Sequence, residues 1–112
     1  MMAYYEATFI VRQDVAPSDV DALREELTKV LEGEGGKVIK HESWGLRTLA
    51  YKMKKNKKGH YVLLYIDAPA AAIAELQRKM RLNEDILRQL VIKVDAISKD
   101  PSPMAQQQQE AA

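Results

Sequence analysis

Five lysines stand within seven positions: Lys52, Lys54, Lys55, Lys57 and Lys58, with Arg47 upstream and His60 directly downstream. Ammonium groups at this spacing can each neutralise one phosphate and release a counterion. Tyr51 and Tyr61 bracket the run and offer ring faces on which a base or ribose can stack. The alternative reading of such a run is a solvated turn that keeps a hairpin soluble. Trp44, the single tryptophan, stands beside Gly45 and suits sheet packing, a stacking platform or a protein contact. From the charge run alone, nucleic-acid binding and a solvated turn stand equally open.

Catalysis finds no foothold. There is no cysteine, so a disulfide framework, a thiolate zinc site and a cysteine nucleophile are excluded. His41 and His60 are the only histidines and lack metal-ligand spacing. No serine has an associated His and Asp in a recognisable context. Gly33-Glu34-Gly35-Gly36 is glycine-rich but ends a helical pattern, so it cannot offer helix N-terminal amides to a phosphate. Neither a catalytic residue, nor a metal, nor a cofactor, nor a small-molecule substrate is expected.

The 112 residues carry a formal net charge of +1, with 46% hydrophobic and 29% charged residues, as in ordinary globular domains. The near-neutral total conceals an asymmetry. Residues 13–36 hold seven acids and two bases, whereas residues 37–60 hold eight bases and one acid. A partner meets that local field, not the sum. No apolar run approaches the ~18 residues that span a bilayer, and the N-terminus lacks the pattern of a secretory signal. The expectation is a cytoplasmic protein without a membrane partner.

The elements that must position the basic run follow from periodicity. Tyr4 to Arg12 alternates as a strand. Asp14 to Pro17 reads as a turn, and Ser18 with Asp21 fits a capping box opening a helix. Val20, Leu23, Leu27, Val30 and Leu31 form its apolar stripe, and glycines stop it. Lys37 to Met53 is a long extended stretch with a bulge or bend expected at Gly45. Met53 to Gly59 reads as a polar connection, and His60 to Asp67 as the returning strand of a hairpin. Asp67-Ala68-Pro69 opens a second helix with Ile73, Leu76 and Met80 inward; Asn83-Glu84-Asp85 breaks it. Ile86 to Val94 is a last strand whose two parities are both apolar, so its inner face stays open.

The order β-α-β-β-α-β predicts an α+β, ferredoxin-like βαββαβ sandwich: a four-stranded antiparallel sheet with both helices on one face. Residues 1–95 make the domain. Residues 96–112, with Pro101, Pro103 and a glutamine run, read as a disordered tail. Val62, Leu64 and Ile66 are expected under the helices. Tyr61, Leu63 and Tyr65 then lie on the open face beside Tyr4 and Ile10, an apolar surface that calls for a partner.

Gly45-Leu46-Arg47-Thr48-Leu49-Ala50-Tyr51-Lys52-Met53-Lys54 resembles the signature of the bacterial small-subunit ribosomal protein six family. Tyr5-Glu6, the glycine-rich end of the first helix, Lys58-Gly59-His60-Tyr61 and Arg81 through Arg88 agree with it, so the resemblance covers residues 4 to about 95. Family members usually carry a charged or amide residue where Thr48 stands and Ile where Met53 stands. The resemblance implies a structural, non-enzymatic constituent of the small ribosomal subunit. It implies binding to central-domain 16S rRNA as a heterodimer with small-subunit ribosomal protein eighteen. On that reading Arg47, Lys52, Lys54, Lys55, Lys57, Lys58 and His60 face rRNA, and Trp44, Tyr61, Leu63 and Tyr65 meet the partner protein. A free-standing RNA-recognition-like protein is the main rival. Its third-strand motif fits Lys58 to Tyr65 poorly, because His60 and Val62 replace stacking aromatics. A ligand-binding regulatory domain and an acylphosphatase-like enzyme share the topology. The first would not need the lysine run; the second needs an anion-cradling loop where Gln13 to Pro17 is acidic and lacks glycine.

Overall fold

A computed structural model describes residues 2–97. Among these the chain runs β1 (Met2–Arg12), α1 (Pro17–Gly33), β2 (Lys37–Met53), β3 (Asn56–Pro69), α2 (Ala70–Leu82) and β4 (Ile86–Val94). The strands form one antiparallel sheet in the order β2-β3-β1-β4. This is the ferredoxin-like arrangement that the element order predicts. The expected tail falls outside the described residues, except for Ala96 and Ile97.

One face of the sheet carries the core. Ala7, Phe9 and Val11 of β1 and Val62, Leu64 and Ile66 of β3 are buried against Val20, Leu23, Leu27 and Leu31 of α1 and Ala72, Ile73, Leu76 and Met80 of α2. The period of two in the strands and the i, i+3, i+7 stripe of each helix are thus the two halves of one interface. The register settles the ambiguous last strand. Phe9 pairs with Gln89 and Ala7 with Val91, so these two face the helices while Leu90 and Ile92 face away.

The structure corrects three boundaries. Ser18 does not cap α1: Pro17 takes the first helical position, Ala16 becomes the N-cap, and no side-chain cap bond forms. Asp67, Ala68 and Pro69 belong to β3, paired with Tyr4, Ala3 and Met2. Asn56 to Gly59 are strand too, so the connection between β2 and β3 shrinks to Lys54-Lys55. The glycine stop of α1 holds. Gly35 (φ 86°) donates to the Glu32 carbonyl, and Gly36 donates to the Leu31 carbonyl at 2.8 Å, a Schellman closure.

Candidate nucleic-acid interface

The β2–β3 ribbon is where the basic run becomes geometry. Register irregularities fall at Val38/Lys40, Ser43/Gly45 and Thr48/Met53, and the first cross-pair at the tip is Met53 with Asn56. Lys54 and Lys55 are therefore the two central residues of a two-residue turn. Both have positive φ, 45° and 69°. A tight hairpin demands that backbone, and Asn-Gly normally supplies it. A left-handed residue with a side chain costs roughly 1–2 kcal/mol. Lysine at both positions keeps two charges at the tip in spite of that strain.

The turn of the ribbon is pinned. Asn56, only 3% exposed, donates to the Lys54 carbonyl and accepts from the Gln13 backbone N–H, both at 3.1 Å. The Gln13 side chain in turn accepts from the Lys58 N–H at 3.2 Å. Buried polar groups persist where they are paired, and these bonds tie the ribbon to the end of β1. Lys52, Lys54, Lys55, Lys57 and Lys58 are all exposed. Tyr51 is 81% exposed and available for stacking. Arg47 is half-buried, its Nε donating to the Trp44 carbonyl at 3.1 Å.

His60 is placed otherwise. It is only 8% exposed and lines a cleft between the β1–α1 turn and β2. Period two points it to the helix side of β3, with Val62, so it stands apart from the exposed lysines.

The open face also departs from expectation. Tyr61, Leu63 and Tyr65 lie opposite Ile10, Thr8 and Glu6, away from the helices as predicted. Yet Leu63 and Tyr65 are buried. Long side chains of β2 cover Tyr65: Lys40 Nζ sits 4.3 Å from its ring centroid, and its hydroxyl donates to Glu42 at 3.4 Å. Trp44 stacks on Tyr61, with centroids 6.1 Å apart and ring planes at 17°. Its indole N–H donates to Glu42 at 2.9 Å. Burial and the negative charges of Glu42 and Glu6, with the Glu42 hydrogen bond, push the Tyr65 phenol up to about 12. The apolar surface left open lies on the β1–β4 side, at Tyr4, Leu90 and Ile92, about half exposed. Sequence reasoning named Tyr4 but missed Leu90 and Ile92, because only the register shows which parity of β4 faces outward.

Among the described residues no group of three or more His, Asp or Glu side chains is placed to hold a metal ion. Nor is any helix among them long and apolar enough to cross a membrane.

Comparison with known proteins adds an independent line. The sequence profile described as ribosomal protein S6 matches residues 4–93. The chain is 56% identical to small ribosomal subunit protein bS6 of Bartonella bacilliformis over 103 residues, 92% of this chain and 76% of that protein. It is 51% identical to the bS6 protein of Rickettsia prowazekii over 96% of this chain and 88% of the relative. A crystal structure of 30S ribosomal protein S6 from Thermotoga maritima superposes with a TM-score of 0.79 at 28% identity, covering 84% of this chain and 89% of that one.

Proposed function

The chain belongs to the ribosomal protein S6 family, and from that membership we propose how it works on the ribosome. The family is a structural, non-enzymatic component of the small subunit, so this protein serves translation in the bacterial cytoplasm by binding rRNA, not by catalysis. The finer reading is that the β2–β3 ribbon grips the backbone of central-domain 16S rRNA. Lys52, Lys54, Lys55, Lys57 and Lys58 neutralise phosphates, Tyr51 stacks, and Arg47 stands behind them. Phosphate contacts position a protein on RNA and carry little sequence information. The carrying observation is the tip: Lys54 and Lys55 occupy left-handed positions that stability alone would give to Asn and Gly.

Small-subunit ribosomal protein eighteen is the proposed partner, on the open sheet face. Trp44 and Tyr61 offer their stacked pair, Leu63 and Tyr65 stiffen the surface from below, and Tyr4, Leu90 and Ile92 supply exposed apolar area. With a net charge of only +1 and an acidic α1, the chain alone has a weak long-range pull on RNA. Specificity then belongs to the composite surface. The test is binding to a central-domain rRNA fragment across a salt series, with and without protein eighteen. Tight, salt-sensitive binding in the partner's presence is expected. Equal binding to any single-stranded RNA, partner or not, would favour the free-standing RNA-recognition-like protein.

A further inference from the structure

The cleft that His60 lines has a volume of about 640 Å³, within the roughly 300–1,000 Å³ of small-ligand sites. Pro17, Val20 and Leu46 give it apolar walls, and Asp14 and Asp21 add carboxylates. His60 is 8% exposed, and its Nε2 is buried with no hydrogen-bond partner among the described residues. Buried polar atoms are nearly always satisfied, so this orphan, set behind the cleft wall, lacks a partner that a ligand in the cleft could supply once the His60 ring turns toward it. The lysine grip on phosphates uses neither this atom nor this cleft.

We propose that this cleft receives one unpaired guanine base of the bound RNA. Gln13 lines the cleft and accepts the Lys58 N–H, so the cleft opens at the root of the lysine ribbon. A strand whose phosphates lie along the ribbon can turn one base into it. Chemistry then chooses the base. Carboxylates repel phosphate and accept hydrogen bonds, and guanine is the base whose Watson–Crick edge presents adjacent N–H and NH₂ donors. Asp14 contacts Arg12 only at 3.4 Å and its side chain is 69% exposed, so it has acceptor capacity to spare. The His60 imidazole can donate or accept toward the ring's other polar edge. Apolar walls at Pro17, Val20 and Leu46 suit the faces of a flat ring.

The proposal rests on the ribbon reading but fails separately from it. The probes are a nine-nucleotide uridine strand, the same strand with one central guanosine, and a short arginine-rich peptide. Each is titrated into the isotope-labelled full chain while the His60 ring and the amides of Val15 and Leu46 are followed by NMR. The guanosine strand should bind roughly ten-fold more tightly than the all-uridine strand and alone shift the His60 signals. Asp14→Asn with Asp21→Asn should abolish that preference without lowering affinity for uridine, since the exchange only removes negative charge. Absence of a guanosine-dependent shift in the cleft overturns the base pocket, whether or not either strand binds. Shifts there with the peptide and not with guanosine overturn it in favour of a protein's guanidinium. Failure of the uridine strand to bind with salt dependence counts instead against the lysine ribbon.

Discussion

The two sides of the sheet solve opposite problems with the same backbone. On the β2 side, the hairpin carries lysines to a strained tip, is pinned beside that tip by Asn56, and leaves Tyr51 bare. The surface there is charged and presented. On the β4 side, the edge strand turns Leu90 and Ile92 outward with few charges between them. Between the two, Lys40, Glu42 and Trp44 cover Tyr65 and Tyr61. The sheet thus presents two surfaces of different chemistry: a lysine-rich ribbon toward β2, proposed above to grip rRNA, and an exposed apolar strip toward β4, proposed to dock the partner protein. Charge depletion and apolar area mark the core of a protein interface, and dispersed lysines mark a phosphate contact.

The comparison can be broken at its charged end first. Replacing Lys54 and Lys55 by Glu should lower affinity for the rRNA fragment about a hundred-fold at low salt, and reduce the salt slope by about one for each lysine lost. Binding of the partner protein without RNA should be unchanged. An unaltered slope would remove the ribbon from the phosphate site. At the other end, Leu90→Asp with Ile92→Asp should weaken partner binding by roughly ten-fold or more, measured by calorimetry, while folding stability shifts only slightly. If RNA binding alone collapsed instead, the division of labour would be wrong.

A subtler exchange separates stability from function at the tip. Lys54→Asn with Lys55→Gly supplies the residues a two-residue turn prefers. Urea unfolding should show a gain of about 1–2 kcal/mol, with weaker RNA binding in the same protein. Stability that falls would mean that the lysines are not strained there.

The smallest effect is one of pH. Tyr65 has its phenol raised to about 12, first by burial and then by Glu42 and Glu6. A raised acid stabilises the fold fully below its unfolded value near 10, and that contribution is lost as pH rises through about 12. Absorbance titration should find Tyr65 ionising late, and Glu42→Gln should move it back toward 10. A Tyr65 that titrates with the exposed tyrosines would remove the Glu42 cover from the description.

Much of this was legible in the residues. Alternation in β1 and β3 identified the inner faces, Gly45 announced the β2 irregularity, and glycines ended α1. What escaped has physical reasons. The stretch from Met53 to Gly59 reads as loop because lysine is a poor strand former and no glycine marks the turn, yet Lys54 and Lys55 adopt the left-handed backbone themselves. Pro17 displaced the expected Ser18 cap because its fixed φ already suits the first helical turn. The cover over Tyr65 comes from Lys40 and Glu42, polar chains that hide surface which polarity scales count as open. The burial of His60 was not legible at all. It depends on Leu46 and on the β1–α1 turn, which only register brings together.

The central place of β1 also sets a timetable. It is the first strand to leave the ribosome during synthesis, yet it pairs with β3, which ends at Pro69, and with β4, which ends at Val94. Only β2 and β3 are neighbours in both sequence and space. At roughly 5–20 residues per second, the opening strand waits several seconds for its last partner. The nascent chain therefore builds its hairpin before its sheet, and the earliest of the four strands waits longest for its neighbours.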